Sequence, residues 1–363
     1  MKLVVNSIDF ANAISKVSKA VATKATQPVL EGIKFKAKND ELTLTATDLE
    51  MSIETTVSCD VLEEGECVVG KLIAEWVAKL ETNSMVEIAE EKNRLKFKCA
   101  DNDFAVSTLP AKDYPLINKE IDESTSSFEI EVTNLKQAIV ETTFCCATDE
   151  ARPILKGALI EVDDEQMTMV ALDGFRMAKA VKPCVSNCKI KCVVPARSLQ
   201  EMVKLIGNEE TKITVFVQPN NIAIKTNGTI FTSRLLTGAF VNYETLLVRS
   251  YDTTATIKKD DMVAALERVS IVSKTNQNIV KVNITNKDIK LSASSQAGDI
   301  METTSVEKDG KDIELYINYK YLYDCFKACK YDDVELFIKD KQSPIVLANG
   351  ENEYLILPIR VNK

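Results

Sequence analysis

The sequence contains an internal repeat with a fixed offset of 125 residues. Residues 27–51 read QPVLEGIKFKAKNDELTLTATDLEM, and residues 152–177 read RPILKGALIEVDDEQMTMVALDGFRM. Identical pairs at this offset include Pro28 and Pro153, Leu30 and Leu155, Gly32 and Gly157, and Asp48 and Asp173. Self-similarity at a constant spacing is typical of a duplicated structural unit, so the fold has to be built from repeated modules.

The openings of the repeats extend this pattern to a third copy. They read KLVVNS before IDFANAISKVSKAV, FEIEVTN before LKQAIVETTFCCA, and ATIKK before DDMVAALERVSIVS. Each opening predicts an alternating strand followed by an amphipathic helix. Asp9, Asn134 and Asp260 stand near the helix starts and are the N-caps that we predict.

After each opening come alternating strands with polar turns, then a second helix and three more strands. This pattern predicts two helices and about eight strands in each unit, with the helices packed on antiparallel sheets. We therefore expect an α+β protein of three similar domains at residues 1–122, 127–247 and 253–363. The units would join near residues 120–127 and 248–254. A length of 363 residues is sufficient for three such domains.

The composition limits the possible classes of protein. No apolar run is long enough for a membrane span, and the start MKLVVNSIDF has no signal-peptide pattern. We therefore expect a cytoplasmic protein that has no membrane partner. The chain has no histidine, which excludes Ser-His-Asp and Cys-His nucleophile systems. Its ten cysteines are expected to be reduced thiols, and we predict no metal and no cofactor.

The positive charge is concentrated in the six predicted helices, although the net charge of the chain is −9. These helices, at 9–22, 71–81, 134–147, 196–206, 258–274 and 318–330, hold 14 Lys and Arg against 9 Asp and Glu. On one helix such residues are most simply solvated. If all six helices shared one side, they would form a basic surface suited to nucleic-acid phosphates and without sequence preference.

Four segments, in this order and spacing, resemble one family. They are RPILKG at 152–157, LDGFRMA at 172–178, VVPAR at 193–197 and YLILPIR at 354–360. The chain is similar to the bacterial DNA polymerase III β subunits, the sliding clamps. The resemblance implies the DNA clamp fold and a head-to-tail homodimer, a ring whose twelve helices line a central hole. Helices spaced about 8–10 Å apart would leave a bore of roughly 20–30 Å, wide enough for duplex DNA.

The resemblance also implies a function and its partners. The protein would be a non-catalytic processivity factor in DNA replication that encircles double-stranded DNA without reading its sequence. Short peptides with Gln and Leu/Phe anchors would tether the DNA polymerase III α subunit, the clamp loader and other clamp-binding-motif proteins, including repair polymerases. The DNA-facing candidates are Lys24, Lys71, Lys136, Arg197, Lys204, Lys320 and Lys327.

A partner-peptide pocket is implied at a second set of residues. They are Leu155, Leu172, Gly174, Phe175, Arg176, Met177, Val241, Leu246, Pro344, Leu355 and Leu357. Apolar positions such as Leu155 and Leu355 could equally be ordinary core residues. Leu172, Phe175 and the segment GAFVNY at 238–243 depart from the common family pattern and make the pocket wall more apolar. The dimer interface is expected at Phe104 of one chain, facing Ile271 and Val272 of the other.

Two other functions remain open at this stage. Asp48 and Asp173 could be carboxylate ligands of a metal-dependent phosphodiesterase, although the third copy has Ser295 near the matching position. An Asp before Gly174 is also what a turn requires. Alternatively, the chain could be a protein scaffold that never encircles DNA.

Overall fold

The computed structural model describes residues 1–80, 84–117, 125–186, 188–207, 209–247 and 250–360. Two compact units are present: unit 1 has residues 1–132 and 197–235, and unit 2 has residues 133–196 and 236–363. The expected domain ends at 122 and 363 lie outside the described residues, as do parts of both expected joins. The second sequence repeat therefore contributes to both units.

The six helices that we predicted are present, with somewhat different ends. They are α1 (Ser7–Val17), α2 (Leu72–Val77), α3 (Val132–Thr142), α4 (Ala196–Leu205), α5 (Lys259–Ser273) and α6 (Tyr319–Ala328). Short 3₁₀ turns, Ser18–Ala20 and Thr143–Cys145, continue α1 and α3. Helix α2 is shorter than expected, and the end predicted for it at Glu81 lies outside the described residues.

The strands follow the same order in each third of the chain. In the first third they are β1 (Lys2–Asn6), β2 (Gly32–Lys38), β3 (Glu41–Thr47), β4 (Met51–Ser58), β5 (Asp60–Glu63), β6 (Gly65–Gly70), β7 (Met85–Glu91), β8 (Arg94–Cys99) and β9 (Asn102–Pro110). In the second they are β10 (Ser126–Glu131), β11 (Gly157–Val162), β12 (Gln166–Leu172), β13 (Arg176–Ser186), β14 (Ile190–Pro195), β15 (Lys212–Val217), β16 (Asn221–Thr226) and β17 (Thr229–Arg234). In the last they are β18 (Thr253–Lys258), β19 (Ile279–Ile284), β20 (Asp288–Ser295), β21 (Gly298–Ser305), β22 (Glu307–Gly310), β23 (Ile313–Asn318), β24 (Asp333–Ile338), β25 (Ile345–Asn349) and β26 (Asn352–Ile356).

The predicted N-caps are wrong. The side chain of Asn6 caps α1 by accepting hydrogen bonds from the backbone N–H groups of Ile8 (2.9 Å) and Asp9 (3.4 Å). Asp9 thus lies in the first turn, as Asp260 does in α5, and α3 begins two residues before Asn134. Each helix follows directly from a strand, so it starts earlier than the polar residues suggest. Acidic residues in the first turn still favour the helix through its dipole.

Unit 1 contains a long antiparallel sheet with the strand order β9-β6-β2-β3-β4-β17-β16-β15-β10. The β4–β17 ladder joins strands of the first sequence repeat to strands of the second. Asn39 and Asp40, with φ of 52° and 57°, form the two-residue turn between β2 and β3. A second sheet has the order β5-β1-β7-β8-β9. Phe10 of α1, Phe35 and Phe97 pack with ring centroids 6.1–6.3 Å apart in the core.

Unit 2 is built in the same way. Its long antiparallel sheet has the order β14-β11-β12-β13-β26-β25-β24-β18-β22, in which β13–β26 joins the second repeat to the third. A smaller sheet, β23-β19-β20-β21, lies against α5. Helix α6 buries Leu322, Cys325 and Phe326, which follow helical spacing along one face. The α+β class with antiparallel sheets is thereby confirmed.

Candidate functional site

The turn between β12 and β13, which we call the unit 2 turn (residues 173–176), is held by one carboxylate. Oδ1 of Asp173 accepts hydrogen bonds from the backbone N–H groups of Phe175 (2.9 Å) and Arg176 (3.0 Å). Gly174 has a φ of +94°, a left-handed conformation that favours glycine. The turn therefore presents the Phe175 side chain, which is 60% exposed, at the end of the hairpin.

Arg176 is buried beneath this turn and bonds to three separate elements. Its Nε donates to Oδ2 of Asp173 (3.1 Å), its Nη1 to Oδ2 of Asp324 on α6 (2.6 Å), and its Nη2 to the carbonyl oxygen of Phe144 (2.7 Å). The guanidinium carbon also lies 4.6 Å from the ring centroid of Tyr321. Burial works to lower the pKa of Arg176, but the charge of the neighbouring Cys145, the hydrogen bond and charge of Asp324 and the charge of Asp173 together raise it.

The predicted pocket residues fall into two groups in unit 2. Leu155, Leu172, Met177 and Leu355 are buried in one apolar cluster with Tyr243, Leu247 and Val346. Phe175, Val241, Leu246 and Leu357 are 36–60% exposed and form what we call the unit 2 rim. The first group is core, as the alternative interpretation of Leu155 and Leu355 allowed, and the rim is the part that a ligand could contact.

Backbone hydrogen bonds and ring stacking position parts of the unit 2 rim. The backbone N–H of Leu357 donates to the carbonyl oxygen of Phe175 (2.9 Å), so these two residues lie next to each other. The ring of Phe175 stacks on Tyr321 at 6.3 Å. Pro344 is half-buried at the start of β25. Exposed apolar side chains on a rigid hairpin next to a packed core are suited to binding an apolar peptide.

The basic candidates in unit 1 are Lys24, Lys71, Arg197 and Lys204, and all four are exposed. Nη1 of Arg197 lies 2.7 Å from Oδ2 of Asp48, and Nζ of Lys204 lies 2.8 Å from Oε1 of Glu201. Both cations are more than half exposed, so these pairs are weak and can exchange for phosphate oxygens.

Lys19 is a further basic residue of unit 1, and the helical patterns did not single it out. Its Nζ donates to the carbonyl oxygen of Lys204 (3.3 Å), so the end of α1 lies next to α4. Burial, Lys204 and Lys16 lower the pKa of Lys19, partly against the effect of Glu201. The charges of these lysines therefore interact. The position of Lys19 opposite Phe10, Ile14 and Val17 in the helical pattern is a sequence signal that could have identified it.

In unit 2 the basic candidates are Lys136, Lys320 and Lys327. Lys320 and Lys327 are exposed on α6, opposite its buried stripe, and Lys136 on α3 is half-buried. Nζ of Lys327 lies 5.7 Å from the ring centroid of Tyr323. A lysine in this position keeps its charge available to solvent while its stem packs on the ring.

The residues expected at the dimer interface lie at two open sheet edges. In unit 1, Phe104 on β9 is half-buried and stacks on Trp76 with centroids 5.3 Å apart. Residues 102–107 of β9 pair with β8, and within the described residues no strand pairs with their other side. In unit 2, β21 pairs with β20, and within the described residues no strand pairs with the other edge of β21. On the adjacent α5, Ile271 is 71% exposed and Val272 is half-buried. Unpaired edges beside exposed apolar residues are typical of interfaces.

The carboxylates of the phosphodiesterase hypothesis have structural roles. Asp173 holds the unit 2 turn and pairs with Arg176, and Asp48 holds the matching turn in unit 1 and pairs with Arg197. Within the described ranges, no group of three or more His, Cys, Asp or Glu residues could hold a metal ion. Nothing in this geometry favours metal-dependent chemistry.

Comparison with known proteins gives one consistent result. Family models described as the N-terminal, central and C-terminal domains of the DNA polymerase III beta subunit match residues 1–118, 129–242 and 244–360. The chain is 27% identical to the beta sliding clamp of Staphylococcus epidermidis, over 97% of both chains. It is 25% identical to that of Vibrio cholerae, over 99% of this chain and 100% of the other.

Solved structures agree with these sequence matches. The DNA polymerase III beta subunit of Thermotoga maritima superposes with a TM-score of 0.93 at 25% identity, covering 99% of this chain and 100% of that one. The corresponding subunit of Pseudomonas aeruginosa gives the same values. In the described part of the chain, no helix is long and apolar enough to cross a membrane.

We predict that Arg176→Ala destabilises unit 2 by about 3–5 kcal/mol, because it leaves Asp173 and Asp324 without their buried cation. Urea unfolding followed by circular dichroism measures this loss. Arg152→Ala, at an exposed arginine of the same unit, serves as the control. A loss below about 1 kcal/mol would mean that the pairs around Arg176 behave like surface pairs.

We also predict that about one thiol per native chain, that of Cys188, reacts quickly with an aromatic disulfide reagent at pH 8. All ten cysteines are free, as expected, and Cys188 alone is not buried. Burial raises the pKa of Cys59 and Cys184 to about 11 and that of Cys67, Cys192 and Cys329 to about 12. At pH 8 such thiols are almost fully protonated. Absorbance should show all ten reacting in denaturant, whereas several fast native thiols would contradict the burial.

Proposed function

The chain belongs to the DNA polymerase III beta subunit family and is a DNA sliding clamp with a three-domain fold, and we propose that two copies pair head to tail into a ring around duplex DNA. A sliding clamp is a non-catalytic processivity factor of DNA replication. The domains we propose are 1–122, 127–247 and 253–363, and the three family matches support them. We propose that the protein acts in the cytoplasm, where bacterial DNA replication takes place.

Contact with DNA would be electrostatic and independent of sequence. The candidate residues all carry positive charges that suit phosphate oxygens. They are Lys24, Lys71, Lys136, Arg197, Lys204, Lys320 and Lys327. The weak pairing of Arg197 and Lys204 with neighbouring carboxylates supports this role, because an exchangeable cation can follow the DNA as it moves. A closed ring is retained by topology, so its phosphate contacts can remain weak and permit sliding.

Ring closure would use the two open edges. The Phe104 edge belongs to unit 1, and the Ile271 and Val272 edge belongs to unit 2. If β9 of one chain pairs with β21 of its partner, each chain contributes its β9 edge to one contact and its β21 edge to the other. Both open edges are then paired. A heterologous contact of this kind closes into a ring when its rotation allows. The exposed Ile271 would then be covered by an aromatic surface.

The unit 2 rim would bind the partners. We propose that a short peptide inserts Leu/Phe anchors against Phe175, Val241, Leu246 and Leu357, over the core of Leu155, Leu172, Met177 and Leu355. The DNA polymerase III α subunit, the clamp loader and repair polymerases are the partners of this kind. Arg176 would act indirectly by fixing the hairpin that carries Phe175, since its donors are occupied within the protein.

Retention on DNA is the observation that tests encirclement. We expect the loaded protein to stay on nicked circular DNA in salt that screens phosphate contacts, and to be released when a restriction enzyme linearises the circle. Gel filtration after loading measures the amount that co-elutes with DNA. Equal retention on circular and linear DNA, or none on either, would instead favour the non-encircling scaffold.

We predict that the double variant Ile271→Asp, Val272→Asp is monomeric in sedimentation velocity, because two carboxylates would have to be buried in an apolar contact. Val185→Asp introduces a charge at an exposed valine elsewhere in unit 2 and should leave the dimer intact. An unchanged far-UV circular dichroism spectrum would show that the double variant is folded. A double variant that remains fully dimeric would disprove this interface.

A further inference from the structure

A cavity, which we call the unit 1 cavity, lies beside the turn at residues 48–51. It has a volume of about 200 Å³. Its wall includes Leu49, Met51, Leu116, Ile117 and Arg234. We infer that this cavity is a second peptide-docking site, which takes a short peptide with one aliphatic side chain next to a carboxylate. The inference goes beyond the partner surface proposed for unit 2.

The hydrogen bonds of the two turns match at the offset of 125 residues. Oδ1 of Asp48 accepts from the backbone N–H groups of Glu50 (3.0 Å) and Met51 (2.9 Å), as Oδ1 of Asp173 does from the two equivalent residues. The backbone N–H of Arg234 donates to the carbonyl oxygen of Glu50 (2.8 Å), just as that of Leu357 donates to Phe175 (2.9 Å). Arg234 therefore occupies the place that Leu357 has on the unit 2 rim.

The strands that carry the turns also correspond. In unit 1 the register pairs Ser52 of β4 with Thr232 of β17, and in unit 2 it pairs Met177 of β13 with Leu355 of β26. The next strand is β16 in unit 1 and β25 in unit 2. The unit 1 cavity thus lies at the same point of its sheet as the unit 2 rim does.

The cores beneath the two places are built alike. Unit 1 has a buried cluster that contains Ala22, Leu30, Val68 and Tyr114. Unit 2 has the equivalent cluster with Ala147, Leu155, Val193 and Tyr243. The backbone N–H of Ala22 donates to the carbonyl oxygen of Leu30 (3.0 Å), and that of Ala147 to Leu155 (2.8 Å). A rigid floor of this kind lets a surface bind without first having to order itself.

The side chains differ in a way that defines the ligand. Leu49, Glu50, Thr232 and Arg234 stand where unit 2 has Gly174, Phe175, Leu355 and Leu357. Leu49 is 46% exposed and Leu116 fully exposed, so the cavity keeps an apolar contact surface. Arg234 is exposed at its edge and forms no ion pair with any described residue, Glu50 included. One aliphatic anchor followed by a carboxylate is complementary to this pair of features.

The backbone of Leu49 shows that the turn does not require a leucine at this position. Its φ is +74°, whereas the equivalent Gly174 has +94°. A leucine in the left-handed region is disfavoured relative to glycine. Leu49→Gly therefore relaxes the turn while it removes the apolar contact, which separates a loss of binding from a loss of folding.

The test uses the full chain labelled with ¹³C at the methionine methyl groups. Met51 reports on the unit 1 cavity and Met177 on the unit 2 core, each signal being assigned by its loss on substitution with Leu. The probe is acetyl-Gly-Ser-Leu-Asp-Ser-Gly-amide, and its Leu-Asn and Ala-Asp versions are matched controls. We expect the probe to shift Met51 and leave Met177 unmoved, and to bind about tenfold more tightly than either control.

Protein variants give the second arm of the test. Arg234→Glu and Leu49→Gly should each weaken the response of Met51 about tenfold or more, and Glu50→Gln should strengthen it by removing a competing carboxylate. Lys38→Glu, an equal charge change elsewhere in unit 1, should have no effect. The inference is overturned if Met51 does not move, if Met177 moves instead, or if Arg234→Glu binds like Lys38→Glu.

A separate titration distinguishes this inference from the proposed partner surface. A peptide with Gln, Leu and Phe anchors should shift Met177. If it does not, while the Leu-Asp probe still shifts Met51 and Arg234→Glu abolishes that shift, the partner surface fails and the unit 1 cavity stands.

Discussion

The structure depends on two antiparallel ladders that join strands from different sequence repeats. β4 pairs with β17 in unit 1, and β13 pairs with β26 in unit 2. Each ladder turns two short sheets into one long one, and each begins directly after an Asp-held turn. The turn places its exposed side chains next to the last residue of the joining strand, Arg234 or Leu357. Both candidate binding places are therefore products of the joining ladders.

Much of the fold could be predicted because its signals are local. Alternation of apolar residues identifies the strands, and helical spacing identifies the six helices. The capping residues could not be identified in this way. Asn6 and Asp9 are both good N-caps by residue type, and only the strand preceding α1 decides between them. Similarly, Leu205 of α4 is buried while the nearby Val203 is only half-buried.

The candidate site was harder to predict, since a residue type does not reveal its exposure. Leu155 and Leu357 are both leucines in family-like motifs, yet one is core and the other lies on the rim. The pairing of Arg176 with Asp324 joins residues 148 apart in sequence, and no short motif contains both. Lys19 acquires its significance only from its contact with Lys204 on another helix. Such information resides in tertiary contacts rather than in spacing.

The second repeat supplies strands to both units, which has a consequence for how the protein can be divided. Removing any single repeat would leave β4, β17, β13 or β26 without a neighbouring strand. The backbone N–H and C=O groups along that edge would then have no hydrogen-bond partner in the sheet. The duplicated segment therefore shares its sheets with its neighbours along the chain. Autonomous pieces, if wanted for study, have to be cut and rejoined along the ladders, with residues 197–235 grafted onto the first 132.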